Sequence, residues 1–404
     1  MRWLSALCLS FAGGAAWAQL PNAVTLAEVL RIVETSPRIA ASQREADVAR
    51  AERAAAGALP NPSLSLGRFT PSGGERTIFD ATSQQQATVE LPVPIFGQRG
   101  ARMRAADFQI GRAESQVRLT IGETRRLASL AFLRMLAAQE QLAARRSALA
   151  DIERIRGLVA GREQSGMASR YDLARAEAEL ALASLAAQKS QNEVNEQAAA
   201  LAALVDAPLW RPQPLGSLAG LREELAQTDA DLAGNPALQL ARAETEAAQA
   251  RVELARRERF PVPSVSLGRT WTSGPFGAAN FVGVASEIPI LDTRRAQEDR
   301  ANAEAGAARE RERATAAALR AELRKQRDTL QMRRAALERF EREVSQRQSA
   351  FLEMAESAYR LGRGTLFELL DARRTQLGAG IARLELLSAI VESQIELRSL
   401  EGSL

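Results

Sequence analysis

Two kinds of hydrophobic patterning alternate along this chain, and each occurs twice. Over 98–160 and again over 294–361 there is no proline and little glycine, and Ala, Leu, Arg, Glu and Gln dominate; these are strong helix formers. Each stretch is roughly 65 residues and would reach about 100 Å as a helix at ~1.5 Å per residue, where an ordinary domain helix runs three or four turns. Leu323, Leu330, Leu337 and Val344 step by seven, as a coiled-coil seam requires. Helices about half as long are expected over 26–57, 171–205, 235–260 and 366–401, with Thr25 capping the first. Placed end to end, each short pair matches the adjacent long helix. That suits two parallel rods per unit, one unbroken and one assembled from two pieces.

The second pattern is strict alternation. Leu64 and Leu66 share one face of 63–70, and Ala87, Val89, Leu91 and Val93 share one face against Gln86, Thr88 and Glu90. Farther on, Val265, Leu267 and Trp271 form one strand pattern, and Val282, Val284 and Ile288 form its partner. Apolar-out, polar-in alternation is weak evidence for a barrel strand in any single segment, and its recurrence strengthens it. The joining loops, 71–83 and 272–280, are rich in Gly, Ser and Pro, as turns are. Two half-buried hairpins of a soluble domain would show the same pattern. Four strands alone cannot close a barrel, so a membrane reading requires several copies.

These patterns recur in the same order. Ser36-Pro37 precedes Pro60-Asn61-Pro62-Ser63-Leu64, as Asn235-Pro236 precedes Pro261-Val262-Pro263-Ser264-Val265. Each long helix ends at a glycine-centred turn, Ser165-Gly166-Met167-Ala168-Ser169 and Leu361-Gly362-Arg363-Gly364-Thr365. Self-similarity of this kind marks an architecture built by repetition. A first unit is expected over 19–207, with a hairpin at 62–93, a long helix at 98–160 and a turn at 161–169. A linker over 208–228, holding Pro208, Pro212 and Pro214, separates it from a second unit over 229–404. That unit has a hairpin at 263–290, a long helix at 294–361 and a turn at 362–365.

Residues 1–18 read as a cleaved secretion signal: Arg2, an apolar Trp3–Ala12 run, and Ala16-Trp17-Ala18 before Gln19. The apolar run is too short to span a bilayer. Cys8 is the only cysteine and lies inside the signal, and histidine is absent. A mature chain without either can have no disulfide or thiolate nucleophile, no Ser-His-Asp triad and no His-Glu-x-x-His zinc motif. Neither an EF-hand loop nor a phosphate cradle is present. No enzyme activity, cofactor or bound metal is expected. The 53 basic residues balance 49 acidic ones, and apart from Lys189 and Lys325 they are arginines. Interleaved with glutamates, they read as a solvated helix surface, not a nucleic-acid interface. No apolar run after residue 19 is long enough for a transmembrane helix, but strands of ~9–11 alternating residues escape that test.

With the repeats, the strand pairs and the motif Tyr359-Arg-Leu-Gly362-Arg-Gly-Thr365-Leu-Phe-Glu368-Leu-Leu-Asp371-Ala372 in place, the chain resembles TolC-type outer-membrane efflux proteins over essentially its whole mature length. Its compact size, the Leu-Pro-Asn-Pro entry to the first strand and Phe96-Gly97-Gln98-Arg99 are most similar to the heavy-metal branch, the CzcC-like outer-membrane factors. The resemblance implies a mainly α fold with a membrane β-barrel. Long antiparallel coiled-coil helices would form an internally duplicated unit with four strands. In a homotrimer, twelve strands would close one barrel in outer-membrane lipid, continuing into a helical periplasmic tunnel. A periplasmic adaptor and an inner-membrane pump of the RND type would be its partners. Metal cations stay open beside drugs, other small molecules or type I secretion cargo. A periplasmic adaptor would lack the duplication, and a structural envelope coiled coil would not need the paired strands.

The resemblance also implies roles for single residues. The turns at Gly166, Met167, Ala168 and Ser169 and at Gly362, Arg363, Gly364 and Thr365 would dock the adaptor. Equally, glycine freedom and Ser169 and Thr365 caps could serve only to make the turns. Asp172 and Tyr359, with Arg363, would latch the closed state; the family's arginine falls one residue later, at Gly364 here. Asp172 could equally be a helix-start acid. Glu368 and Asp371, three apart and on one helix face, would ring the narrowest point of the tunnel as a cation-selective gate. A solvated helix face is the plainer reading of those two acids.

Overall fold

The computed structural model describes residues 20–70, 83–226, 231–272 and 277–404, the side chains of 345–349 excepted. The expected signal segment, most of the 71–83 loop and the tip of the 272–280 loop lie outside the described residues. Contacts divide the chain into two compact units.

One unit contains the described residues up to Ser36, with Leu127–Ala226 and Arg333–Glu392. Strand β1 (Ala23–Val24) leads into helix α1 (Leu26–Val33). Thr25 and Glu28 close a reciprocal capping box there, which satisfies donors that a helix start leaves bare. The chain was expected to continue as one helix to 57. Instead the helix stops at Val33 and a second, α2 (Pro37–Ala56), begins at the proline. Pro37 has no N–H and disfavours helical backbone at Ser36, so it suits the first turn of a new helix.

Also in this unit are the later part of α3 (Gln98–Gln164) and all of α4 (Arg170–Leu204). The 208–228 stretch is not a bare linker. Its β4 (Gln213–Pro214) pairs in parallel with β1, and α5 (Leu218–Glu224) follows. Leu218, Leu221 and Leu225 are buried at helical spacing. Trp210 donates its indole N–H to the Pro21 carbonyl at 2.9 Å, and the Glu140 carboxylate accepts from the Leu218 N–H at 2.6 Å.

The second long helix also differs from the expected unbroken rod. Helix α7 (Arg295–Phe340) passes through a π-helical stretch, Glu341–Ser345, into α8 (Gln346–Arg360). Leu323, Leu330 and Leu337 are buried as the seven-residue step implies, whereas Val344, inside the π stretch, is only half-buried. A wide turn rotates the apolar stripe off its seam. Helix α9 (Leu366–Glu401) completes the series.

The other unit contains Pro37–Arg126, Gln227–Met332 and Ser393–Leu404. Alanines make one of its helix contacts: Ala248, Val252 and Ala255 of α6 (Pro236–Glu258) pack against Ala301, Ala305 and Ala308 of α7. Ion pairs tie neighbouring helices, among them Arg50–Glu114 at 3.0 Å, Arg53–Asp107 at 2.9 Å and Arg259–Glu298 at 2.8 Å. Here too lie β2 (Ser63–Phe69), β3 (Gln84–Pro92), β5 (Ser264–Thr272) and β6 (Ala278–Ala285). All pairings are antiparallel, and β3 pairs with β5, which joins the two hairpins into one sheet ordered β2-β3-β5-β6. Two expected strand ends shift. Strand β3 begins at Gln84 because Gln84, Gln85 and Gln86 pair with Phe69, Arg68 and Gly67, while Ile288 lies beyond β6.

Candidate functional site

The two helix-to-helix turns are built alike. After α3, Gly166 takes a φ of 73°; the Met167 N–H donates to the Arg162 carbonyl at 2.7 Å and the Gly166 N–H to Glu163 at 2.9 Å. After α8, Gly362 takes a φ of 71°, and Arg363 and Gly362 donate to Ala358 and Tyr359 at 2.9 and 3.1 Å. This Schellman closure needs a left-handed residue, hence glycine. The next helix then opens on a capping box. Ser169 receives the Asp172 N–H at 3.1 Å while the Asp172 carboxylate accepts from the Ser169 N–H and hydroxyl. Thr365 receives the Glu368 N–H at 3.3 Å, and Glu368 accepts from the Thr365 N–H at 2.8 Å.

Several residues singled out in the sequence therefore have structural work within the turns. Asp172 is bonded to Ser169, and Tyr359 lies buried beneath the Arg162 guanidinium, 4.6 Å from its ring centre. Among the described residues these two make no hydrogen bond to each other. Arg363 is exposed, and Gly364 is pressed against Ala358, where a Cβ would meet the Ala358 Cβ at 3.0 Å. Asp371 is exposed and stands beside Arg374. The Arg374 guanidinium grips Glu179, and that contact, with the Asp371 charge adding to it, holds its pKa above the ordinary arginine value.

Of the side chains that the turns expose, Met167 was expected from the sequence, whereas Leu361, Tyr171 and Phe367 were not. Met167 and Leu361 are 72% and 71% exposed, and Tyr171 and Phe367 stand out at 69% and 56%. Tyr171 and Phe367 each lie two residues after the capping Ser169 or Thr365. Aligning the two repeats on their glycines would have revealed that pair. The tip also rests on a buried cluster of Ile152, Ile155, Val159, Leu366, Leu369 and Leu370. Beside it Arg373 of α9 bridges Asp151 of α3 at 2.8 Å and Glu356 of α8.

The sheet is the other candidate site. Its register sets Leu64, Val89, Leu267 and Val282 in a row across all four strands. All are exposed, from 43% for Val89 to 75% for Val282. The opposite face is mostly small or polar, as in the row Ser63, Glu90, Ser266 and Gly283, with Phe69 and Phe281 its two aromatic side chains. Among the described strand residues Glu90 is that face's only charge, and it accepts from the Ser264 hydroxyl. The outer edges of β2 and β6 have no partner among the described residues. Nor, among those residues, is any helix long and apolar enough to cross a membrane.

Long helices arranged as a duplicated unit, with a small sheet that turns an apolar face outward, define an envelope protein of the efflux-channel class. The chain belongs to the outer membrane efflux protein family, whose model matches residues 31–206 and 229–403. Its place is the outer membrane. The cobalt-zinc-cadmium resistance protein CzcC of Cupriavidus metallidurans is 25% identical over 369 residues, covering 86% of this chain and 82% of CzcC. In fold, the chain is similar to the crystal structure of CusC, with a TM-score of 0.78 at 17% identity over 97% of this chain and 95% of CusC. The outer membrane protein VceC of Vibrio cholerae gives 0.72 at 18% identity over 93% and 96%.

Proposed function

We propose that the protein is the outer-membrane exit duct of a tripartite efflux system. It would work as a homotrimer joined to a periplasmic adaptor and an inner-membrane pump of the RND type, and extend from the outer membrane into the periplasm. The observation that carries the trimer is the sheet. It bares an apolar face and two edges without a partner among the described residues, which only closure with further copies satisfies in lipid. Three copies give twelve strands, with the polar face around the lumen. The helices then form the periplasmic tunnel.

Heavy-metal cations are the cargo this reading assigns, on the likeness to CzcC. A duct passes ions without holding them, so an absence of His and Cys ligands is no obstacle. The turns at 166–169 and 362–365 would dock the adaptor, supported by their exposed Met167, Tyr171, Leu361 and Phe367. Glu368 and Asp371 would line the constriction, and Asp172, Tyr359 and Arg363 would form its closing contacts. In the single chain Asp172 and Glu368 cap their helices, so a gating role would use carboxylate oxygens that also hold the turns.

Fractionation tests the duct directly. A heat-resistant oligomer in detergent-extracted outer membrane is the expected result, and a soluble periplasmic protein would end the reading. Deleting the gene should sensitise cells to cobalt, zinc or cadmium salts; unchanged metal tolerance with new drug sensitivity would reassign the cargo.

A further inference from the structure

The outward face of the sheet is not apolar throughout. From the strand ends that lead into helices towards the hairpin turns, its rows run Leu91–Val265–Val284, then Leu64–Val89–Leu267–Val282, then Leu66–Ala87–Arg269–Asn280, then Arg68–Gln85–Trp271–Ala278. Two arginines therefore appear together where the apolar rows end. Both are exposed, neither has an acidic partner among the described residues, and no carboxylate lies on this face of the described strands. The Arg269 guanidinium is held over the Trp271 ring, 5.6 Å from its centre. Arg68 and Arg269 are two strands and two residues apart, so their Cα atoms stand roughly 12 Å from each other. Both side chains can reach one phosphate between them, above Gln85, or the two ends of a diphosphate.

Charge on the lipid-facing side of a barrel costs roughly 2–4 kcal/mol at the bilayer midplane and about 0–1 near its surface. The arginine rows therefore lie at headgroup height. Because the opposite strand ends enter the periplasmic helices, this is the external surface. Guanidinium groups bind phosphate through paired, charge-assisted hydrogen bonds, and an indole suits the same interfacial depth. We infer that Arg68, Gln85, Arg269 and Trp271 bind the phosphorylated headgroup of an outer-leaflet glycolipid, whose acyl chains lie along the Leu64–Val89–Leu267–Val282 row. The inference rests on the barrel reading of the sheet.

Native mass spectrometry of the purified oligomer tests it, with three probes: diphosphorylated lipid A, the same lipid stripped of phosphate, and its deacylated diphosphorylated disaccharide. The intact protein should bind the diphosphorylated lipid at least tenfold more tightly than either other probe. The Arg68→Gln, Arg269→Gln double variant should lose that preference, and the double lysine variant should retain part of it. Equal binding of the dephosphorylated lipid would overturn the site and leave arginines that merely extend to water. Equal binding of the disaccharide would make it a site for soluble phosphates, not lipid. Both comparisons use unmodified protein, so a variant that fails to assemble leaves the test decided. Should no membrane oligomer form at all, the barrel reading fails and not this site alone.

Discussion

The ring of Phe281 on β6 lies across Gly268 on β5, so closely that a Cβ on Gly268 would come within 2.2 Å of the Phe281 Cζ. The Ala87 carbonyl of β3 closes the other side at 3.0 Å. Glycine here leaves room for an aromatic ring on the small-residue face. Gly268→Val should overpack the sheet by about 1–3 kcal/mol. The detergent-extracted oligomer would then dissociate at lower temperature on a denaturing gel. Adding Phe281→Ala to Gly268→Val should restore part of the loss, and a double variant as weak as Gly268→Val alone would point away from this contact.

At the tips, Met167 is the clean probe of adaptor docking, being 72% exposed. Met167→Arg should leave oligomer yield unchanged while adaptor pull-down falls at least tenfold. Gly364, also in a turn, is a poor probe because any side chain there strikes Ala358. If Met167→Arg retained full adaptor binding and full efflux, the docking role would go.

For the gate, the capping role of Glu368 dictates the variant. Removing its side chain would unmake the turn along with any charge ring, whereas a glutamine keeps the capping box. The Glu368→Gln, Asp371→Asn pair should abolish block by multivalent cations added from the periplasmic side in planar-bilayer recordings. Most cation selectivity should be lost with it. Block as strong as in the unmodified channel would leave these two as helix-cap and surface acids.

Acid should loosen the junction of α6 with α7. A hydrogen bond from Arg259 first, helped by a weaker one from Arg256, holds the Glu298 carboxyl below the ordinary carboxylate range against the opposing effect of burial. A depressed folded pKa means stabilisation that is present above the unfolded value and lost as pH falls through the folded one. The melting difference between wild type and Glu298→Gln should thus be full at neutral pH and vanish in acid below that range. A difference independent of pH would show that the ion pairs contribute nothing.

Arg373 ties three helices near the tip through Asp151 and Glu356, with its own side chain 14% exposed. Arg373→Met should destabilise the fold by roughly 1.5–3 kcal/mol, because Asp151 and Glu356 lose the cation they share and keep only the more exposed Arg154 and Arg360. Thermal unfolding monitored by circular dichroism would measure the loss. The triple replacement with Asp151→Asn and Glu356→Gln should recover part of it.

What the chain's own order of residues determined was most of what neighbours along it govern, the helix break at Ser36-Pro37 excepted. Helix-forming runs free of proline, the seven-step of Leu323, Leu330 and Leu337, and alternation around Leu64 and Leu267 are local rules that hold before anything packs. The same holds for the glycine-then-hydroxyl turns, whose closure involves residues within a few positions of each other. Repetition of those patterns pointed to the efflux family. Tertiary structure alone decided what depends on a distant partner. Gln84 and Gln85 lie outside the apolar alternation and join the strand only because Phe69 and Arg68 offer them a ladder. The pairing of β3 with β5 exists only because two hairpins far apart in sequence meet edge to edge. The proline-rich stretch after 207 is ordered by a two-residue pairing with Ala23–Val24, Trp210 and a carboxylate from α3, none of which its own composition announces. Likewise the place of Arg68 and Arg269 follows from register: a strand's period says which face a side chain takes, and only its neighbours' alignment says which charges share a row.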